Sequence, residues 1–267
     1  DKLNVEFAAG SANGNNTVSG ITDFGEAQDA LSIEDVNYTF PLGGFKVSFG
    51  ESMDASKNWP NACSYSSIVD NMEDCGASNS VDLAGDISLS AGYDFDNGWA
   101  FGIGVSADDA ETNLGAFTQE SDDRYGIAFG YEVDTYGLTV AYSNVEDATN
   151  GTAFWGLTAY WSPEGMGTLS GGVEFGIPDD VDDPNLDTSQ WLIGYTTDLG
   201  PGEFQVGVGT NGAIAENAET IYAYEVGYEY PLNDGMSIKP FAYIAETAGG
   251  GGNDDTIGLG VLTTFKF

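Results

Sequence analysis

The chain has 267 residues, of which 43 are acidic and 6 are basic, giving a formal charge of −37 at pH 7. Such a charge leaves no basic surface for phosphate groups, so nucleic acid is excluded as a partner. The sequence has no histidine, no nucleophile motif and no phosphate-cradling loop, so we predict no enzyme activity, no metal site and no cofactor.

The composition favours a single all-β domain spanning residues 1–267. The chain contains 38 Gly, 15 Phe and 14 Tyr, and clusters of Asp, Asn, Gly and Pro break it into short segments. No apolar run approaches the roughly 20 residues that a transmembrane helix needs. The chain begins at Asp1 without a signal peptide, so we expect any export signal to have been removed or to lie outside this sequence.

Candidate strands with a period of two follow one another along the whole chain. Short turns follow every second strand, and long acidic loops follow the others. This alternation is typical of a bacterial outer-membrane β-barrel, whereas a soluble β-protein such as a lectin has no reason to separate its loops in this way. We therefore predict a transmembrane antiparallel β-barrel with about 15 strands in this chain. The candidate strands are 2–9, 17–23, 31–40, 44–51, 82–95, 98–107, 124–133, 136–144, 152–162, 167–176, 189–198, 203–210, 220–230, 236–246 and 256–267.

The final strand sets the direction of all the others. It carries an apolar face that includes Phe267, while Thr264 and Lys266 point the other way, toward the lumen. A last strand that runs toward the short turns puts Phe267 in the periplasm, and counting back puts Asp1 on the extracellular side. Because such barrels have an even strand count, we predict one more strand before Asp1 and about 16 in the full protein. The alternative is that two strands are merged within residues 10–30.

The two faces of each strand differ as a water-filled barrel requires. One face is apolar, and the other carries Gly, Ser, Thr and single charges, which suits a wet lumen. Acidic groups outnumber basic ones on this second face, so we predict a weak preference for cations. The predicted pore-lining charges are Asp35, Lys46, Asp86, Arg124, Glu132, Glu174, Glu225, Glu229 and Lys239. Aromatic residues lie near the short turns, as a membrane interface favours.

The longest loop, residues 52–81, contains the only two cysteines, Cys63 and Cys75. This spacing favours a disulfide in an oxidising compartment over two free thiols, and the closed loop would be stabilised by about 3 kcal/mol. When the expected extra strand is counted, the loop is the third long one, which general porins fold into the lumen. We predict a constriction loop, with an outward surface cap as the alternative. A second acidic loop, 179–187, is predicted to be solvated rather than to bind Ca²⁺.

Several stretches resemble the barrel of cyanobacterial outer-membrane porins, which are related to the carbohydrate-selective porins. These stretches are 31–43, 156–163, 228–240 and 253–267, in the family's order. The resemblance implies a sixteen-stranded barrel, often a homotrimer in outer-membrane lipid and lipopolysaccharide, that passes ions and small solutes. Family members bind peptidoglycan through an amino-terminal domain that this sequence does not contain.

Taken together, these patterns predict a porin that allows passive diffusion of inorganic ions and small hydrophilic solutes across an outer membrane. The alternative is a structural protein that links the outer membrane to the cell wall and has a narrow or plugged lumen. A stable open-channel current separates the two hypotheses.

Overall fold

The computed structural model describes residues 1–9, 19–22, 31–108, 110, 115–116, 118, 122–146, 151–179, 187–248 and 255–266. It contains short helices α1 (Ser19–Thr22) and α2 (Ser78–Val81) and a kinked 3₁₀ segment (Asp70–Cys75). No helix in these ranges has the length and apolar character to cross a bilayer. The strands are β1 Lys2–Ala9, β2 Leu31–Leu42, β3 Phe45–Glu51, β4 Ile87–Asp94, β5 Trp99–Ala107, β6 Asp123–Val133, β7 Tyr136–Val145, β8 Thr152–Trp161, β9 Thr168–Pro178, β10 Thr188–Leu199, β11 Gly202–Thr210, β12 Ile214–Ala215, β13 Tyr222–Asn233, β14 Met236–Ala245 and β15 Thr256–Phe265.

The strands form one antiparallel sheet in which each long strand pairs with the next one along the chain. The two-residue strand β12 stands off this path and pairs with the start of β10. Within the described residues, no backbone ladder joins β1 to β15. The fold is an all-β, antiparallel barrel wall, as the sequence predicts.

Side chains alternate between an apolar outer face and an inner face of small and polar residues. On β13, Val226 is 39% exposed, whereas its neighbour Glu225 is 3% exposed. On β5, Ile103 points outward, while Ser106 on the inner face is buried. The predicted division of β4, β5 and β13 into two faces is confirmed.

Tight turns close one end of the wall, and long connections lie at the other. Between β2 and β3, Gly43 and Gly44 have φ values of 57° and 93°, a left-handed pair that suits a two-residue hairpin turn. We call this edge the short-turn end and the opposite edge the long-loop end. The predicted alternation of connections is confirmed.

One predicted strand is wrong, and its loss reverses the direction of β1. Residues 19–22 of the predicted strand 17–23 are helical, and Ile21 packs against a buried cluster instead of joining the wall. Because β1 pairs directly with β2, it runs from the short-turn end to the long-loop end. Asp1 therefore lies at the short-turn end, contrary to the prediction that it lies at the extracellular end.

The other strand boundaries differ by only a few residues, with one larger exception. The predicted strand 82–95 begins at Ile87, because the residues before it belong to the long connection from β3. Phe267, which the sequence placed at the end of the last strand, lies outside the described residues.

Candidate functional site

Residues 52–86 connect β3 to β4 and lie against the inner face of the wall; we call this segment the belt. The belt has an outgoing leg (residues 52–69) and a return leg (residues 70–86), and residues 68–71 form its tip. The two legs leave the wall side by side, because Ser52 N donates to Asp86 O (3.3 Å) and Ala55 N donates to Leu83 O (3.1 Å). Both legs contact side chains of the inner face, so the belt is not an outward surface cap.

The outgoing leg contacts successive strands in the order in which they stand in the wall. Each contact joins the belt to an inner-face side chain. They are Asn58 Nδ2 to Ser48 Oγ of β3 (2.8 Å), Ala62 N to Thr139 Oγ1 of β7 (3.1 Å), Ser64 N to Ser170 Oγ of β9 (3.1 Å), Gln205 Nε2 of β11 to Ser66 O (3.1 Å), and Val69 N to Glu225 Oε2 of β13 (2.8 Å). The leg thus runs around the wall from β3 to β13.

The return leg retraces this path in reverse order. Its contacts are Asn71 Nδ2 to Asn211 Oδ1 after β11 (2.9 Å), Cys75 Sγ beside Ser170 Oγ of β9 (3.3 Å), Ser143 Oγ of β7 to Asn79 O (2.7 Å), and Arg124 Nη1 of β6 to Ala84 O. On β7 the outgoing leg bonds Thr139 and the return leg bonds Ser143, which is nearer the long-loop end. The belt therefore follows the wall at two levels and does not cut across the space that the wall encloses.

Glycines on the inner face let the belt backbone approach the wall closely. A Cβ atom added to Gly194 would lie 2.3 Å from the Tyr65 ring, and one on Gly104 would lie 2.0 Å from Ala55 O. Contacts this short exclude any larger residue without displacement of the belt. Further inner-face glycines at which an added Cβ would lie closer than 3 Å to a belt atom are Gly92, Gly102, Gly126, Gly130, Gly156, Gly172 and Gly207. Close approach of the belt thus accounts for these inner-face glycines.

A disulfide and an apolar cluster hold the two legs together. Cys63 on the outgoing leg is bonded to Cys75 on the return leg, with their Cα atoms 5.7 Å apart, which confirms the predicted disulfide. Buried side chains from the belt, among them Val69 and Met72, pack with Leu192 of the wall. The far half of the belt thus has a small core of its own, built jointly with β10, β13 and β14.

Two buried carboxylates of the wall anchor the belt. Glu225 accepts hydrogen bonds from the Tyr65 hydroxyl and from the Ile68 and Val69 amides, each at 2.8 Å. Glu174 accepts from Asn79 Nδ2 and Ser80 N at 2.7 and 2.6 Å, and from Gln190 Nε2 at 2.7 Å. Hydrogen bonds to a carboxylate are stronger than hydrogen bonds between two neutral groups, so these two residues hold the belt to the wall.

The anchoring role corrects the prediction that these two glutamates line the pore. Glu225 is 3% exposed and Glu174 is 1% exposed. Both point inward as the alternation indicates, but the belt covers them, so neither meets an open lumen. Strand alternation could not detect this cover, because Val69 lies 156 positions from Glu225 and Ser80 lies 94 positions from Glu174.

The other predicted pore-lining charges fall into ion pairs or remain accessible. Three basic side chains pair with carboxylates: Lys57 with Asp35 (3.5 Å), Arg124 with Asp108 (2.7 Å) and Lys239 with Glu229 (3.7 Å). Lys46 is exposed, and Asp86 and Glu132 are partly buried. The structure does not bring the nine predicted residues into a single ring, because they are distributed from β2 to β14 and from one end of the wall to the other.

Sequence reasoning missed the carboxylates of the belt itself. Desolvation of its carboxylate, a hydrogen bond with Asp82 and the charges of Asp82 and Asp74 together raise the pKa of Asp54 to about 8, although the residue as a whole is exposed to water, which weakens each of these effects. Burial and the Asp82 charge raise the pKa of Asp74 to about 6, against a hydrogen bond from Asn61. Asp54 and Asp82 come from opposite legs, so their shared hydrogen bond joins the legs. The acidic character of loop 52–81 was the available signal.

Aromatic side chains form bands at both ends of the outer face. At the short-turn end, Trp99 contacts Tyr131 and Tyr131 contacts Tyr136, with centroid distances of 4.9 and 5.9 Å. At the long-loop end, Tyr142 contacts Trp155 at 4.8 Å. The sequence predicted the first band and missed the second.

Within the described ranges, no group of three or more Cys, Asp or Glu side chains is arranged to hold a metal ion. Of the acidic loop 179–187, only Asp179 and Asp187 are described.

Comparison with solved structures returns bacterial barrels of the same fold. OmpT of Vibrio cholerae, in a loop-deletion mutant, aligns with a TM-score of 0.62 and 11% identity over 89% of this chain and 81% of that one. The anion-selective porin of Comamonas acidovorans gives 0.60 and 12% over 83% and 70%, and a mutant Rh. blastica porin gives 0.56 and 17% over 91% and 80%. At these identities the likeness concerns the fold.

The sequence itself carries the family assignment. A comparison with curated protein sequences finds no significant match. In contrast, a family model described as Gram-negative porin matches residues 1–252, which is nearly the whole chain. The apolar outer face, the inward belt and this match agree, and the chain belongs to the Gram-negative porin family of the outer membrane.

Proposed function

We propose that this porin lets inorganic ions and small hydrophilic solutes diffuse passively across the outer membrane. The observation that carries the proposal is the path of the belt. A plug would cross between opposite strands, whereas the belt contacts β3 to β13 in order and returns in reverse. A segment that follows the inner wall narrows the lumen without crossing it, which favours a constricted channel over a structural protein with a plugged lumen.

The distribution of charge supports a weak preference for cations. Three of the six basic residues are paired with carboxylates on the inner side of the wall. The belt adds the exposed side chains Glu73 and Asp82. An excess of carboxylates along a pore favours cations, so we expect the opposite preference to the anion-selective Comamonas porin.

The belt, with Cys63 and Cys75, is proposed as the constriction, and the accessible inner-face charges as its lining. The lining comprises Asp35, Lys46, Asp86, Arg124, Glu132, Glu229 and Lys239. In this view residues 1–267 act as a single barrel domain, and the chain acts as a channel rather than as an enzyme.

The proposed partners follow from the outer face and from the resemblance. The apolar outer face suits outer-membrane lipid and lipopolysaccharide, and the family resemblance favours a homotrimer. The stretches that resemble cyanobacterial porins, 31–43, 156–163, 228–240 and 253–267, favour that branch of the family, in which peptidoglycan is bound through a separate amino-terminal domain.

Planar-bilayer recording tests the proposal. We expect stable open-channel steps, and reversal potentials in a salt gradient that favour cations by a small factor. A variant in which a short Gly-Ser link replaces residues 56–82 should conduct severalfold more current if the belt sets the constriction. Absence of channel steps from correctly folded protein supports the structural alternative, and a reversal potential of the opposite sign contradicts the cation preference.

A further inference from the structure

A groove of about 600 Å³ lies on the outer face of the wall at the long-loop end. Aromatic rings of three strands form its floor: Phe175 of β9, Trp191 of β10 and Tyr222 of β13. Trp191 and Tyr222 meet edge to face, with centroids 6.2 Å apart. The floor therefore offers flat apolar surfaces at the level of the outer aromatic band.

A rigid ledge overhangs this floor. The ledge is the connection 211–221, in which Ile214 and Ala215 pair with Ser189 and Thr188 of β10. Glu216 N donates to Asp187 O at 2.7 Å, and Asn211 N donates to Ile221 O at 3.0 Å. These bonds fix the ledge in place, so the groove is formed before any ligand arrives.

The edge of the groove is polar but carries no positive charge. Asp187, Ser189, Glu216 and Thr220 contribute carboxylates and hydroxyls. Of the described residues that line it, none is basic. Aromatic floors beside hydroxyl and carboxylate groups suit sugars, since the rings cover C–H faces while the polar groups bond to hydroxyls. A phosphate would meet two carboxylates here, Asp187 and Glu216, and no basic side chain among the described lining residues.

An apolar hollow of about 560 Å³ continues the groove toward the middle of the membrane. On β10, Ile193 of the hollow follows Trp191 of the groove by two residues and points to the same face. On β13, Tyr224 follows Tyr222 in the same way. The hollow is lined further by Val206, Val226, Ile244 and Ile257. A polar recess above an apolar one matches a headgroup above an acyl chain.

We propose that the groove and the hollow together bind an outer-leaflet lipid with an uncharged sugar headgroup. The sugar stacks on Trp191 and bonds to Glu216 and the neighbouring hydroxyls, and an acyl chain lies along the hollow. The connection 211–221 also touches the belt, because Asn71 Nδ2 donates to Asn211 Oδ1 at 2.9 Å. The connection that forms the ledge therefore contacts the groove at one part and the belt at another.

Native mass spectrometry of the detergent-purified protein tests this site. The protein is mixed with equal amounts of a neutral diglycosyl diacylglycerol, a phosphatidylcholine and a phosphatidylglycerol that share the same acyl chains. We expect at least about tenfold higher retention of the diglycosyl lipid, a preference that corresponds to about 1.4 kcal/mol. Trp191→Leu should reduce its retention to the phosphatidylcholine level, and Glu216→Ala should reduce it severalfold.

The control is Trp161→Leu, which removes an exposed outer-face tryptophan at the opposite end of the wall; it should leave retention unchanged. Folding of each variant is checked by heat-modifiable gel migration, and the exposed Glu216 keeps the test available if Trp191→Leu does not fold. Equal retention of the three lipids, preference for phosphatidylglycerol, or equal loss with Trp161→Leu overturns the proposal. Displacement of the lipid by a free disaccharide at equal concentration also overturns it in favour of a soluble-sugar site.

Discussion

Two glutamates on the same strand and the same face show how differently the inner wall is used. Glu225 is buried beneath the belt and accepts three hydrogen bonds from it. Glu229, four residues further along β13, has a side chain that is 40% exposed; it accepts from Ser237 and lies 3.7 Å from Lys239. The first carboxylate belongs to a buried joint, and the second belongs to the open part of the wall.

The difference shows that facing inward is not the same as lining a pore. Strand alternation determines the face, but the belt determines which inner residues meet water. Removing one partner of a buried hydrogen bond leaves the other partner unsatisfied. This lowers the free energy of unfolding far more than breaking an exposed ion pair does. Substitutions beneath the belt and beside it should therefore have effects of different size.

The largest effect is expected from Glu225→Leu. It removes the acceptor for the Ile68 and Val69 amides and the Tyr65 hydroxyl, and each buried donor left without a partner costs about 1–3 kcal/mol. The free energy of local belt opening should fall by about 3 kcal/mol or more, so hydrogen exchange at Ile68 and Val69 should accelerate by about a hundredfold or more. Glu229→Leu is the matched control and should change exchange little; equal effects of both variants would remove the distinction drawn here.

The disulfide should rank next. Replacing Cys63 and Cys75 together by serine removes a crosslink worth about 3 kcal/mol on the chain-entropy model. We expect faster proteolysis within residues 63–75 and noisier single-channel current, while the wall keeps its heat-modifiable migration. Wild-type protein treated with reductant should behave in the same way. An unchanged proteolysis rate would mean that the anchors alone hold the belt.

A graded pair of glycine substitutions tests the close contact between belt and wall. Gly194→Ala places a methyl group against the Tyr65 ring, where a Cβ has only 2.3 Å of space, and such overpacking costs about 1–3 kcal/mol. Gly227→Ala meets its nearest neighbour at 3.2 Å and should cost less. Thermal midpoints of the two variants should differ in this order; a reversed order would show that Tyr65 moves freely.

The smallest effect is expected from pH, because Asp54 is exposed to water and solvent screening weakens its electrostatic interactions. The pKa of Asp54 is raised to about 8, chiefly by desolvation of its carboxylate and next by its hydrogen bond with Asp82, so the folded belt binds a proton that the unfolded chain has released. Belt stability is then highest at low pH and falls as pH rises from about 4 through about 8. Cation preference should rise near pH 8, where Asp54 ionises in the folded belt. Asp54→Asn should flatten both dependences, measured by hydrogen exchange and reversal potential; a belt that tightens with rising pH would contradict this sign.

The sequence predicted what depends on local pattern and missed what depends on distant contact. Alternation and turn chemistry were sufficient for the faces of β5 and β13, for the two kinds of connection and for the last strand. Residues 17–23 were mistaken for a strand because a short alternating run looks the same whether it joins a sheet or packs as a turn of helix. The burial of Glu174 was missed because its cover, Ser80, lies 94 residues away. The inner-face glycines Gly102 and Gly104 were a usable signal, since bare backbone on a wet face indicates that another segment lies on it.

Because the two legs of the belt start from the same place in the wall, changes in the length of the belt are separate from changes in the pairing of the strands. Both legs leave the wall between Ser52 and Asp86, so residues added or removed near the belt tip alter how far it reaches without shifting the pairing of any wall strand. Different residues therefore determine the register of the sheet and the distance to which the belt extends. If the belt forms the constriction proposed above, a change in its length alters the opening while the sheet keeps its register.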